Sequence, residues 1–284
     1  MPEPRQIKVT SLSAFTKEIE KLLEAMQKAC GDAVQPANWY RGHSRASAYP
    51  LKPGLYRHPG GLSFDELYEL EDRMLASFKR QAILHNFGGA NNPDPMTQLF
   101  YMQHYGVPTR LLDWTINPYI ALYFALSGAV PDKTGNYDDD AAVWVLDPYR
   151  WNEWAMQGLG WAVERGPAEM DHKDVTSFHP KSSPAKKGDT PYPWPVAIVG
   201  AANTQRMFAQ RGSFTVFGTD IRPMEEIHQD KGVPKDCLVM LRIPAISIDS
   251  LLRTLISLGY TDSMAYPDLQ GLAMEIRRLN GFRV

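Results

Sequence analysis

The most constraining feature of this 284-residue chain is a block of polar side chains that leads directly into an apolar run. The block covers residues 103–117 and reads QHYGVPTRLLDWTIN, and the apolar run continues to Leu126. Asn117 followed by Pro118 is typical of a helix start, because Asn caps free backbone N–H groups and Pro suits the first turn. Buried polar groups cost free energy unless they are paired. The block therefore predicts a place where polar chemistry is held against the core.

Five side chains of this block are candidates for binding or catalysis: His104, Tyr105, Arg110, Asp113 and Trp114. His104 can act as an acid or base, or hydrogen-bond a ribose hydroxyl. Tyr105 and Trp114 can stack on a planar ring, Arg110 can clamp a phosphate, and Asp113 can orient an arginine. The alternative is a polar network that only holds a loop. In the following helix, the spacing of Tyr123 and Phe124 favours the core.

A further candidate, Arg41, lies at the end of a predicted short strand that reads WYRG from Trp39. Arginine binds carboxylate or phosphate bidentately and keeps its charge. Gly42 allows a ligand or another stretch of backbone to approach closely. The alternative is a structural ion pair, with Asp113 as the expected partner.

Gln210 is a candidate at the junction of a predicted short helix, residues 203–210, and a predicted strand, residues 212–217. It would lie at the edge of the sheet, where binding sites often collect. The alternative is a tight turn in which Gly212 is present for backbone reasons and Gln210 caps the helix.

The pattern of elements predicts one α+β domain, in which helices pack on a small, mostly antiparallel sheet. Helices are predicted from about Ser11 to Ala29, from Ser63, from Asn117 to Gly128, from Ser247 to Leu258 and from Pro267 to Leu279. Strands are predicted at residues 39–42, 141–146, 195–199, 212–217 and 237–243, and residues 110–115 are a strand or an extended loop. We expect residues 1–35 to form a helical segment ahead of a domain at 36–284. Residues 151–194 have no period, which is typical of a functional or mobile loop.

Composition limits the class of protein. The formal net charge of −2 gives no overall basic field for nucleic acid or anionic lipid. No run approaches the ~20 apolar residues that a membrane span needs, so we expect no membrane association. The two cysteines, Cys30 and Cys237, lie far apart, and a reducing cytoplasm is the expected setting. The histidines show no metal-ligand spacing, so no metal is expected.

Four sequence blocks together resemble FRG-domain proteins, a family named after a Phe/Tyr-Arg-Gly motif. They are YRG from Tyr40, residues 103–125, QRGSF from Gln210 and YPDLQG from Tyr266. The resemblance runs from about Trp39 to the C-terminus. The chain departs from the family pattern at two positions. Tyr40 stands at the first position of the Phe/Tyr-Arg-Gly motif in place of Phe, and Tyr266 stands where the family usually has Phe. The family occurs widely in bacteria and phages, often beside mobile-element or defence functions.

The order of these blocks is similar to that of the ADP-ribosyltransferase fold, which has an early Arg or His, a polar strand before a helix, and a later Glu or Gln. The resemblance implies an NAD-using ADP-ribosyltransferase-like enzyme or NAD glycohydrolase, with a protein or nucleic acid as acceptor. Catalytic roles would fall to Arg41, His104 and Gln210, and NAD contacts to Arg41, Tyr105, Arg110, Asp113 and Trp114. Glu225 and Glu226 are candidates to supply the carboxylate that Gln210 lacks.

Two other classes of function fit the same residues. A non-catalytic module that binds a nucleotide or nucleic acid would keep the arginine and the aromatic rings without an acid or base. An interaction or inhibitor protein would use the polar block only as structure.

Overall fold

The structure is a computed structural model, which describes residues 3–31, 37–82, 95–170, 172–183, 191–200, 213–266 and 268–282. Gln210 and the predicted helix at 203–210 lie outside these ranges. The strands of the described residues are β1 (Arg5–Lys8), β2 (Trp39–His43), β3 (Leu111–Trp114), β4 (Ala141–Leu146), β5 (Ala168–Glu169), β6 (Val196–Val199), β7 (Ser213–Val216) and β8 (Leu238–Ile243). The helices are α1 (Leu12–Cys30), α2 (Phe64–Ala82), α3 (Pro95–His104), α4 (Pro118–Ser127), α5 (Pro148–Ala155), α6 (Met224–Ile227), α7 (Ile248–Ser257), α8 (Asp262–Ala265) and α9 (Leu269–Leu279).

The α+β prediction is confirmed, but the strands form two sheets where the sequence predicts one. The first sheet has the order β1-β8-β4-β2 and the second has the order β3-β7-β6-β5. Each sheet is mixed, because β1 runs parallel to β8 and β5 runs parallel to β6, whereas the other pairs are antiparallel. The sequence pattern predicts neither β1 nor β5, which are short edge strands.

An antiparallel bridge between Tyr40 and Thr115 joins the two sheets. The Tyr40 N–H donates to the Thr115 carbonyl at 2.7 Å, and the Thr115 N–H donates to the Tyr40 carbonyl at 2.9 Å. This bridge places the start of β2 beside the end of β3. As a result, Arg41 and the polar block, which are far apart in sequence, meet at one place.

The N-terminal segment is built into the first sheet as well as forming a helix. Helix α1 begins after Ser11, whose side chain accepts from the Ala14 N–H, and ends at Gly31. Phe15 and Ile19 of α1 are buried in the same cluster as Val143 of β4. Because β1 pairs with β8, residues 5–8 complete the sheet.

Helix α4 crosses β2 at its closest point over Gly42. Asn117 caps the helix by accepting from the backbone N–H groups of Tyr119 and Ile120, as its position before Pro118 predicts. A Cβ atom added to Gly42 would lie 2.0 Å from the Ala121 carbonyl oxygen. The glycine is therefore needed because the backbone of α4 passes here. Of the two explanations for Gly42, the approach of another backbone is the one that the structure shows.

The described part of residues 151–194 contributes many side chains to the core, which differs from the expectation of a functional or mobile loop. Trp151 and Phe178 are fully buried. The side-chain amide of Asn152 donates to the Ala197 carbonyl at 2.8 Å and accepts from the Ala197 N–H at 2.7 Å, so it mimics a strand partner for β6. Buried aromatic residues occur here at irregular intervals, so the sequence shows neither a helical nor a strand period.

Both cysteines, Cys30 and Cys237, are buried and unpaired. Among the helices that the structure describes, none is both long and apolar enough to cross a membrane.

The contact at Gly42 generates a stability prediction. We expect Gly42→Ala to lower the free energy of unfolding by about 3 kcal/mol, because a backbone atom of α4 cannot rotate out of the way as a flexible side chain can. Urea unfolding measures the loss. Gly158→Ala is the matched control, since its added Cβ would meet no described atom within 4 Å, and a change within about 0.5 kcal/mol is expected there. Equal stability of the two variants would contradict the close contact.

Candidate functional site

A cavity of about 460 Å³ opens where β2 of the first sheet meets β3 of the second. Its walls come from β2, β3, β7, the end of α3, one face of α4 and the segment that follows β2. The lining residues on which the argument depends are Arg41, His43, Tyr49, Arg57, Phe100, Gln103, His104, Asp113, Trp114, Phe124 and Phe214. The structure therefore brings together Arg41, His104, Asp113 and Trp114 of the predicted site.

Arg41 is held by two groups and keeps one end of its guanidinium uncommitted. Its Nε donates to His43 Nε2 at 3.2 Å, and its Nη1 donates to the Asp113 backbone carbonyl at 2.7 Å. The Asp113 carboxylate lies 3.9 Å from Nη1, which is the predicted pair at long range. Among the described residues, Nη2 has no hydrogen-bond partner. Because the side chain is partly exposed, Nη2 can bind a ligand in the cavity.

His43 must be neutral in this arrangement. Arginine only donates, so His43 Nε2 is the acceptor and the imidazole proton lies on Nδ1. Burial first, and then the charge of Arg41, lower the pKa of His43 to about 3. The neutral ring therefore fixes the direction of the Arg41 guanidinium without adding a charge.

Asp113 is positioned through Gln103. The Gln103 side-chain amide donates to Asp113 Oδ2 at 2.6 Å, and its carbonyl accepts from the Thr109 hydroxyl at 2.7 Å. These two contacts fix both the amide orientation and the carboxylate. Oδ1 of Asp113 has no hydrogen-bond partner in the described part of the chain, and the side chain is 42% exposed. One carboxylate oxygen therefore remains available in the cavity.

Aromatic rings also line the cavity. The Phe100 and Phe214 rings pack at a centroid distance of 4.7 Å. Trp114 is buried, and its indole N–H donates to the Thr215 hydroxyl at 3.1 Å. Phe124 lines the cavity and is half-buried, whereas Tyr123 is fully buried, so the expectation of a core position holds fully only for Tyr123.

Arg110 lies outside the cavity, in the core. Its Nε donates to Glu71 Oε2 at 2.8 Å, and its Nη2 donates to the Phe178 carbonyl. Burial alone would lower the pKa of Arg110, but Glu71 and Tyr68 outweigh burial and the pKa is raised. Both charged side chains are 1% exposed, so a phosphate cannot reach this arginine. The predicted NAD contact is replaced by a structural ion pair.

Tyr105 is also separated from the cavity. It is 66% exposed, and it faces another depression beside α2, although its ring contacts that of His104 edge to face at 4.8 Å. Gln210 lies outside the described residues. Glu225 and Glu226 line a second, smaller cavity of about 320 Å³, and Glu225 accepts from the Leu51 N–H. Neither glutamate lines the cavity at Arg41.

Sequence reasoning missed Arg57 and Gln103 as cavity residues. Arg57 is exposed, and in the described part of the chain its side chain makes no hydrogen bond or ion pair. It lies in a Pro- and Gly-rich stretch without a motif, so the sequence pattern gave no signal for it. Gln103 opens the polar block, and its signal was a polar residue type at the start of that block.

The FRG domain family model matches residues 36–134 of the chain. The matched range contains Arg41, Arg57, the polar block and helix α4, which confirms the resemblance to FRG-domain proteins over that part of the chain. Neither the comparison with curated proteins nor the comparison with solved structures gives a match.

The buried pair of Arg110 and Glu71 generates a second stability prediction. We expect Glu71→Gln to lower the free energy of unfolding by about 3–5 kcal/mol, because it leaves a buried guanidinium uncompensated. Glu69→Gln, which breaks the exposed pair of Glu69 with Lys181, should cost no more than about 1 kcal/mol. Denaturant unfolding measures both variants. If Glu71→Gln is as stable as Glu69→Gln, the pair is not structural.

The neutral state of His43 generates a pH prediction. Its pKa is lowered from 6.5 to about 3 on folding, so between those values the unfolded chain binds a proton that the folded chain does not. The contribution of His43 to stability is therefore fully present above the unfolded pKa and declines as the pH falls, by up to about 1.4 kcal/mol per pH unit.

Urea unfolding between pH 4.5 and 7 tests this dependence. His43→Gln keeps an acceptor for Arg41 and cannot take up the proton, so its stability should fall less steeply on acidification than that of the wild type. His58→Gln, at an exposed position, should keep the wild-type slope. An unchanged slope in His43→Gln would show that His43 is not the neutral partner of Arg41.

Proposed function

We propose that the chain is an NAD-using enzyme similar to ADP-ribosyltransferases and that its reaction takes place in the cavity at Arg41. The observation that carries the proposal is one cavity lined by two arginines, a positioned carboxylate and several aromatic rings. A dinucleotide has matching parts, which are phosphates, ribose hydroxyls and planar bases. Charged groups held in fixed positions are the usual means of stabilising a charged transition state.

In the proposed reaction, the bond between nicotinamide and ribose breaks and neutral nicotinamide leaves with the bonding electrons. The ribose C1′ becomes positively charged in an oxocarbenium-like transition state. Asp113 is the one carboxylate among the described lining residues, and its Oδ1 is free to stabilise that charge. An acceptor group on a protein or nucleic acid, or water, then bonds to C1′ and loses a proton.

Several residues support Asp113 in this proposal. Gln103 keeps the carboxylate oriented, and His104, which also lines the cavity, is the candidate base for the acceptor proton. Gln210 remains a predicted ribose contact, since it follows the order of blocks in ADP-ribosyltransferases. The proposed fold likeness to those enzymes depends on the same order of Arg41, polar strand, helix and Gln210. A defence or toxin role fits the setting in which the family occurs.

A non-catalytic nucleotide-binding module is the second candidate. The observation that favours it is that the Asp113 carboxylate already accepts from Gln103 and lies 3.9 Å from Arg41. A carboxylate so engaged can be a part of the binding wall. Binding through the arginines and rings would then occur without bond cleavage.

Mass spectrometry and nicotinamide release after incubation with NAD test the two candidates. We expect the wild type to release nicotinamide and to transfer ADP-ribose to an acceptor or to water. Asp113→Asn keeps an oxygen for Gln103 but removes the charge, so it should lower turnover by about 10²–10³ while the protein stays folded. Asp138→Asn, at an exposed loop position, is the control and should keep full activity.

NAD binding without nicotinamide release would contradict the enzyme proposal and favour the binding module. Full turnover in Asp113→Asn would remove Asp113 from the chemistry and leave the enzyme proposal standing.

A further inference from the structure

Arg57 reaches the cavity from a firmly anchored turn. Residues Leu55–Arg57 form one turn of 3-10 helix, in which Leu55 and Tyr56 are buried. The Leu55 N–H donates to the Thr109 carbonyl at 3.1 Å, and the Tyr56 hydroxyl donates to the Gly218 carbonyl at 2.6 Å. These contacts hold the backbone next to Arg57. The arginine side chain itself is exposed and, among the described residues, has no hydrogen-bond or ion-pair partner.

The two arginines of the cavity carry more positive charge than their surroundings balance. Burial and the nearby charge of Arg57 lower the pKa of Arg41, and Asp113 only partly opposes them. The same Arg57 charge contributes to the lowered pKa of His43. Asp113 is the only acidic residue among the described lining residues, and it lies at 3.9 Å from Arg41 without an ion pair to Arg57. An anion between the arginines would relieve their repulsion.

The neighbouring cavity is lined by acidic side chains, whereas the first cavity is lined by arginines. It shares Tyr49 and Pro50 with the first cavity and is lined by Glu3, Glu225 and Glu226, with no lysine or arginine among its described lining residues. An anionic group would be repelled there. The anionic part of a ligand therefore belongs at Arg57 and not beyond Tyr49.

We propose that Arg57, together with the uncommitted Nη2 of Arg41, binds the diphosphate of a nucleotide ligand. The substrate class is then a nucleoside diphosphate derivative, and a base or nucleoside alone does not suffice. Guanidinium groups suit this task because their N–H donors match phosphate oxygens in pairs. This inference rests on the proposed function only in assigning a nucleotide to the cavity, and it does not need turnover.

Arg41 and Arg57 would together form a phosphate clamp. Titration calorimetry with a series of ligands tests this clamp. The ligands are ADP-ribose, AMP and adenosine, which carry two, one and no phosphates, and a 5′-phosphorylated oligonucleotide, which presents the same group from a nucleic acid. We expect the wild type to bind ADP-ribose most tightly and adenosine most weakly. An oligonucleotide that binds more tightly than ADP-ribose would overturn the assignment to a small nucleotide.

Variants distinguish a specific contact between Arg57 and phosphate from a general effect of positive charge on binding. Arg57→Ala should weaken ADP-ribose binding about tenfold to a hundredfold, which is the range for lost hydrogen bonds to a charged group, and leave adenosine binding unchanged. Arg57→Lys should restore part of the affinity. Arg253→Ala, at an exposed site on α7 that lines neither cavity, should match the wild type.

The outcomes for the clamp and for the proposed reaction are distinct. ADP-ribose binding that depends on Arg57, with no release of nicotinamide from NAD, upholds the clamp and removes the enzyme. Nicotinamide release that Arg57→Ala leaves unchanged in both KM and kcat overturns the clamp and keeps the enzyme. Equal weakening of ADP-ribose and adenosine by Arg57→Ala also overturns the clamp, since the effect would then not be on phosphate.

Discussion

The site depends on the pair of backbone hydrogen bonds between Tyr40 and Thr115. These bonds join two sheets that otherwise share no strand pairing among the described residues. They also bring the Arg41 guanidinium within reach of the Asp113 carbonyl. Backbone groups make this connection, and Nη1 of Arg41 adds one side-chain link to the Asp113 carbonyl. Among the described residues, Nη2 of Arg41 and the Arg57 side chain take no part in it and can serve a ligand.

Elements with strong local signals could be predicted from the sequence. A helix is predicted from Ser63, and the Ser63 and Glu66 side chains form a capping box at the start of α2. The cap at Asn117 and the strand at 141–146 were predicted for local reasons of the same kind. In contrast, the division into two sheets follows from pairings between strands that are more than 90 residues apart, such as β2 with β4 and β3 with β7. Hydrophobic periodicity carries no information on such partners.

The candidate site shows the same limit. Arg41, His104, Asp113 and Trp114 were predicted as site residues, and they do line one cavity. Arg110 shares their residue chemistry but is buried with Glu71, which lies 39 residues earlier in the chain. Only the placement of α2 beside β3 decides that Arg110 is matched by a carboxylate. Arg57 is the reverse case. No sequence motif marks it as a site residue, yet it lines the cavity without an ion-pair partner among the described residues.

Alternation along β2 divides the Tyr-Arg-Gly motif between two tasks. Tyr40 and Gly42 pair in register with Val145 and Val143, on the face that packs under α4, while Arg41 is opposite Trp144 on the other face. The three residues of the motif therefore lie on two faces of the sheet and do not form one recognition element. Substitutions at its outer positions and at its centre should leave separate signatures, one in folding yield and the other in ligand affinity. A screen that records both quantities would resolve the motif into its two halves.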